Sequence, residues 1–136
     1  MKVVLDTNIV VSGLLSPFGG PGEIVRMVAS GDIELYYDAR ILCEYREVLS
    51  RPKFSFNQIY IEDLLGQIKA RGYIVAAKPL AKRLLDTDDE PFLEVALAGK
   101  AEYLITRNLK HYPANRQQGI LVVSPEKFLE VYRKQK

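Results

Sequence analysis

Val3-Val4-Leu5-Asp6-Thr7-Asn8 opens the chain with strand-forming residues that stop on a carboxylate and two small polar residues. An apolar run of this kind predicts a central strand covered on both faces. The C-terminal end of such a strand is where open α/β sheets place their ligand crevice. Asp6 therefore has two readings, an acid placed in that crevice or the N-cap of a helix starting near Asn8.

Working outward, residues 8–15 and 23–30 predict helices, separated by the turn-rich Pro17-Phe18-Gly19-Gly20-Pro21-Gly22, and Gly31 stops the second. Residues 33–36 predict a second strand, and Asp38 caps a helix over 39–49 that ends before Arg51-Pro52. Residues 57–71 form a further helix stopped by Gly72, and 73–76 a third strand. A helix over 90–98 has Pro91 in its first turn, where proline is tolerated, and strands follow at 103–106 and 120–123. Ser124-Pro125 starts the last helix. Strands alternating with helices predict one α/β domain over 1–136, with a parallel sheet between helical layers.

A chain of 136 residues has room for one core and little more. A 48% apolar share and 26% charged residues, with no long polar tract, exclude a disordered chain. No apolar run approaches the roughly 18 residues of a membrane-spanning helix. The net charge of +2 permits nucleic-acid binding without arguing for it. Basic residues gather at Lys78, Lys82 and Arg83, at Arg107 and Lys110, and at Arg133, Lys134 and Lys136, and each group serves equally as a solvated face. Cys43 is the single cysteine, which excludes a disulfide framework and a thiolate metal cluster. It lies in a helical apolar pattern, so buried packing is expected of it rather than nucleophilic chemistry. With no leader pattern at the N-terminus, a reducing cytoplasm is the expected location.

Glu44 stands three residues after Ile41 and four before Val48, on the inward stripe of its helix. A stripe-edge glutamate that reaches solvent or pairs with Arg40 or Arg46 is the alternative. Asp86-Thr87-Asp88-Asp89-Glu90 places acids at a helix start, where one would suffice as a cap. The rest repel one another unless a cation lies near. Tyr103-Leu104-Ile105-Thr106-Arg107-Asn108 is a second apolar strand ending in polar residues, on the same sheet edge as Asp6. Thr106 and Asn108 there either support a metal or phosphate or simply form a turn. A cluster of carboxylates without His or Cys makes a hard-oxygen site suited to Mg²⁺ or Mn²⁺. The matching chemistry is metal-assisted hydrolysis of a phosphodiester.

Four stretches, Val4-Leu5-Asp6-Thr7-Asn8, Cys43-Glu44-Tyr45-Arg46-Glu47-Val48-Leu49 followed by Arg51-Pro52-Lys53-Phe54, Asp86-Thr87-Asp88-Asp89-Glu90-Pro91-Phe92-Leu93-Glu94-Val95-Ala96 and Tyr103-Leu104-Ile105-Thr106-Arg107-Asn108, resemble the PIN-domain family in order and spacing over nearly the whole chain. The likeness is strongest to the prokaryotic PIN proteins regarded as toxins of toxin–antitoxin systems. It implies a metal-dependent ribonuclease with a five-stranded parallel sheet, Mg²⁺ or Mn²⁺ as cofactor, and RNA as substrate. It also implies a cognate antitoxin protein as partner and a homodimer. Family acids fall on Asp6, Glu44 and Asp89, with Asp89 preferred to Asp88 because it keeps helical register with Phe92, Leu93 and Ala96. Where many relatives carry a fourth acid this chain has Asn108, which can ligate but brings no charge. Thr7, Asn8, Thr106, Arg107 and Lys110 are the expected substrate contacts, Arg107 and Lys110 through the RNA backbone. His111 is expected to be a bystander. The alternative to an enzyme is a PIN-like module that binds RNA or protein with weakened turnover. A receiver or nucleotide-binding domain ranks last, because no phosphate-binding Gly-rich loop follows the first strand.

Overall fold

The structure, a computed structural model, describes residues 1–135; Lys136, counted above among the C-terminal basic residues, lies outside the described residues. The elements in chain order are β1 (Lys2–Leu5), α1 (Thr7–Leu15), α2 (Gly20–Ser30), β2 (Glu34–Tyr37), α3 (Ala39–Leu49), α4 (Gln58–Arg71), β3 (Tyr73–Ile74), α5 (Glu90–Gly99), β4 (Tyr103–Ile105), β5 (Leu121–Val123) and α6 (Pro125–Lys134). Short 3₁₀ turns lie at Pro52–Phe54, Thr87–Asp89, Leu109–His111 and Ala114–Arg116.

The five strands form one parallel sheet in the order β3-β2-β1-β4-β5. The chain builds outward from β1 to β3, then returns to lay β4 on the other side of β1. The strand order therefore reverses between β1 and β4, the place where open α/β sheets open a crevice. Leu5 pairs with Ile105, so Asp6 and Thr106 leave adjacent strands side by side. Both apolar runs are fully covered: Val3, Val4, Leu104 and Ile105 have no exposed surface. α5 packs across β1, β2 and β4, while α2 packs against α1, α4 and α6. The expected α/β fold, a parallel five-stranded sheet with helical layers, is the fold of this chain.

Helix starts follow local chemistry. Asp38 caps α3 by accepting from the Ile41 N–H at 3.1 Å, and Ser124 caps α6 by accepting from the Lys127 N–H. Gly31 stops α2 in the left-handed conformation at φ 83°. α2 begins at Gly20, earlier than the pattern of apolar residues indicates, because Pro21 fits its first turn. β3 keeps only two residues, both exposed, as an edge strand.

Two local expectations need correction. Cys43 is exposed. The inward face of α3 is supplied by Ile41, Leu42, Tyr45 and Leu49, and position 43 falls outside it. Gly72 does follow α4, but at φ −83°, so left-handed backbone is not its reason. A Cβ there would lie 2.6 Å from the Ile68 carbonyl oxygen, 3.0 Å from Tyr37 Cε1 and 3.1 Å from the Leu35 carbonyl oxygen. The chain needs glycine to pass β2 closely. Gly72→Ala should lower stability by about 1–3 kcal/mol by overpacking. Chemical denaturation measures this, and an unchanged midpoint would show that the backbone there yields freely.

Candidate active site

Asp6 is the residue before α1, and its backbone carbonyl accepts from Ile9 N–H at 3.0 Å. No side-chain N-cap hydrogen bond forms in regular geometry, although the Thr7 and Asn8 amides lie close enough to favour its charge. The carboxylate turns instead toward β4: the Thr106 hydroxyl donates to Oδ2 at 2.9 Å and the Tyr112 hydroxyl donates to the same oxygen at 3.2 Å. Asp6 and Thr106 are buried, at 6% and 0% exposure. Burial pushes the Asp6 carboxyl above the usual aspartate range, and the Thr106 and Tyr112 hydroxyls and the helix-start amides oppose that shift.

Glu44 comes from α3, half-buried, and accepts from the Thr7 hydroxyl. Neither arginine considered as its partner holds it: Arg40 pairs with Asp38 and Glu94, and Arg46 with Glu62. Burial raises the Glu44 carboxyl, the Thr7 bond opposes, and the charges of Asp6 and Asp88 add to the rise.

The acidic run divides its tasks. Asp86 Oδ1 accepts from the Asp88 N–H at 2.9 Å and organises the turn. Glu90 is buried and accepts from Arg83 through Nη2 at 2.9 Å and from the Leu84 N–H at 2.9 Å. Asp88 is exposed, whereas Asp89 is buried at 9% exposure. Burial first, then the charge of Asp6, pushes the Asp89 carboxyl up to about 6, against the pull of His111. Asp6, Glu44 and Asp89 line one open cleft of about 380 Å³, together with Thr7, Asp88 and Phe92. Arg51 is the cation on its rim, and it is paired with Glu47 at 3.0 Å. Three partly desolvated carboxylates without a matched cation are a donor set that fits a hard divalent ion. Asp89 also belongs to a second group: one ligand atom each from Asp86, Asp89 and His111 lies within 4.8 Å of the others.

Other expected site residues are placed differently. The Thr106 hydroxyl, besides donating to Asp6, accepts from the Asn108 N–H at 3.0 Å and from Asn8 Nδ2 at 3.4 Å. Asn8 Oδ1 accepts from the Arg107 N–H at 3.2 Å. Thr106 and Asn8 thus knit the ends of β1 and β4 together, and their polar atoms are occupied in doing so. Arg107 is exposed and donates to Ser12. Asn108 is exposed, and its side-chain amide makes no hydrogen bond among the described residues. The structure does not bring it into the lining of the acid cleft. Lys110 borders a neighbouring hollow rather than the cleft.

Two residues escaped the pattern reading. Tyr112 is fully buried, with its hydroxyl also 3.5 Å from the Asp89 carbonyl oxygen, so one phenol stands between two of the three acids. His111, expected to be a bystander, has its Nδ1 3.0 Å from Asp89 Oδ2. The 3₁₀ turn Leu109–His111 brings both back under the strand ends. No local periodicity announces that return.

A family model described as "PIN domain" matches residues 2–110. The chain belongs to the PIN-domain family. PIN domains are generally metal-dependent nucleases. This PIN domain is 27% identical to an uncharacterized protein of Methanocaldococcus jannaschii, over 98% of this chain and 93% of that one. It is also similar to a chain in the crystal structure of VapBC2 from Rickettsia felis bound to a DNA fragment from their promoter. That match has a TM-score of 0.60 at 17% identity and covers 91% of this chain and 98% of the other, a likeness of fold.

Among the described residues, no helix is long and apolar enough to cross a membrane.

Proposed function

We propose that the chain is a Mg²⁺- or Mn²⁺-dependent endoribonuclease, acting as the toxin of a toxin–antitoxin pair. The observation that carries the reading is the convergence of Asp6, Glu44 and Asp89 at the reversal point of the sheet, in a cleft with no matched cation. Membership of a nuclease family supports it, and the likeness to a VapBC2 chain supports the toxin role and an antitoxin partner.

Asp6, Glu44 and Asp89 would hold the ion. When bound, it supplies Lewis acidity toward the phosphate and lowers the pKa of a water that attacks phosphorus. The chain's own contribution is placement. Thr106 and Tyr112 fix Asp6 by two hydrogen bonds on one carboxylate oxygen, Oδ2. Thr7 fixes Glu44, and His111 restrains Asp89. These neighbours act as orienting partners behind the donor atoms.

The test is cleavage of labelled single-stranded RNAs of varied sequence with Mg²⁺ or Mn²⁺, and again with excess chelator. Cleavage is expected only with the ion. Cleavage that persists in chelator overturns the reading.

The titration of Asp89 gives an independent check. Its folded pKa is about 6, against an ordinary 3.8. Between those values the folded state holds a proton that the unfolded chain has released, so apo stability falls as pH rises through this window. A divalent ion that takes the proton's place must therefore stabilise more at pH 7.5 than at pH 5. Thermal melts with and without Mn²⁺ at both pH values measure it. Equal shifts at the two pH values would mean that Asp89 is not among the donors.

A further inference from the structure

Beside the acid cleft runs a second concavity that the proposed chemistry does not use. One hollow of about 430 Å³ is bordered by Leu85, Asp86, Lys110, His111 and Pro113. A second, of about 350 Å³, is bordered by Arg83, Leu85, Pro113, Asn115 and Arg116. They share Leu85 and Pro113 and adjoin there as a trough broken by the projecting Leu85. Its inner end is His111, whose ring meets Asp89. Leu85 is fully exposed, an apolar side chain with nothing packed on it, immediately before the turn that delivers Asp89.

The charges of the trough are ordered. Arg83 is tied to Glu90. Lys110 and Arg116 stand in no ion pair among the described residues. The trough thus offers a projecting leucine beside a proline, an imidazole that meets Asp89, and two unpaired cations set against the single acid Asp86. That combination matches single-stranded nucleic acid, whose bases stack on flat or apolar side chains while cations follow the phosphates. A protein segment would find the leucine and proline but no acidic complement is required of it. A duplex would keep its bases away from Leu85.

Resting on the ribonuclease reading above, we infer that this trough is the subsite for the nucleotides next to the scissile phosphate. One base lies on Leu85 and Pro113 against His111, and the flanking phosphates meet Lys110 and Arg116. The trough, rather than the acid cleft, then supplies the affinity for RNA and any preference for the neighbouring base.

The experiment is fluorescence anisotropy of a labelled 10-nucleotide single-stranded RNA with the full chain in chelator, across a series of salt concentrations. Binding in chelator does not depend on turnover. If RNA binds as described but no RNA is cleaved with metal, the ribonuclease reading fails and the trough stands only as a single-stranded RNA site. Leu85→Ser should weaken binding about tenfold with the salt dependence unchanged. Lys110→Ala and Arg116→Ala should each weaken it and reduce the slope of log K against log salt by about 0.7. Lys69→Ala, an exposed charge on α4, should change neither. Wild-type affinity retained in all three trough variants would overturn the assignment, as would absence of binding by the wild type. Sedimentation on the same samples distinguishes the remaining occupant. A dimer lost in Leu85→Ser with RNA affinity intact would make the trough an interface between copies, and would also overturn it.

Discussion

Asp6→Asn should remove at least about 100-fold of the metal-dependent cleavage and leave the apo protein as stable as the wild type or more so. The substitution keeps size and the ability to accept from Thr106 and Tyr112, and removes the charge that raises both Glu44 and Asp89. An asparagine caps a helix as well as an aspartate does. If Asp6 served only the start of α1, activity would survive. The Thr106 and Tyr112 hydroxyls held on its carboxylate argue that Asp6 serves more than the helix start. Turnover and thermal unfolding on the same preparation decide the matter, and an active Asp6→Asn protein would overturn the assignment.

The second large effect is at Tyr112, where two substitutions separate packing from chemistry. Tyr112→Ala empties a fully buried aromatic position and should cost about 3–5 kcal/mol of stability. Tyr112→Phe keeps the ring and loses the hydroxyl, at about 1 kcal/mol. The Asp6 carboxyl then loses one of the hydrogen bonds that favour its charge, so its pKa should rise further. Divalent affinity should fall about 10- to 100-fold, as when a partner behind a metal ligand is removed. Calorimetric titration with Mn²⁺ across pH measures this. Unchanged affinity in Tyr112→Phe would reduce the tyrosine to a packing residue.

The parts of this molecule that were legible in the amino-acid sequence are those written in consecutive residues. β1 and β4 announce themselves as apolar runs ending in polar residues, and α3 as a stripe carrying Glu44. Asp89 could be told from Asp88 by register with Phe92 and Leu93, and the two do differ in burial. What was not legible depends on a turn's direction or on a contact across the sheet. The Thr106 and Asn8 side chains look available in the sequence, yet each other's proximity takes up their hydrogen-bonding capacity. Tyr112 and His111 follow a stretch with no period, and only the 3₁₀ turn before them brings them back to the acids. Cys43 was misjudged because its neighbours are apolar while its own direction on the helix is outward.

The reversal of strand order between β1 and β4 also governs when the centre comes into existence during synthesis. The carboxylate of Asp6 is on the first strand, and the hydroxyls that hold it arrive 100 and 106 residues later. Pairings so distant in sequence carry a large loop-closure cost before they are formed. A ribosome-bound chain lacking its final third carries Asp6 and Glu44 but neither Thr106 nor Tyr112. Until β4 and the turn after it have been made, the chain holds the Asp6 carboxylate without the two hydroxyls that fix it.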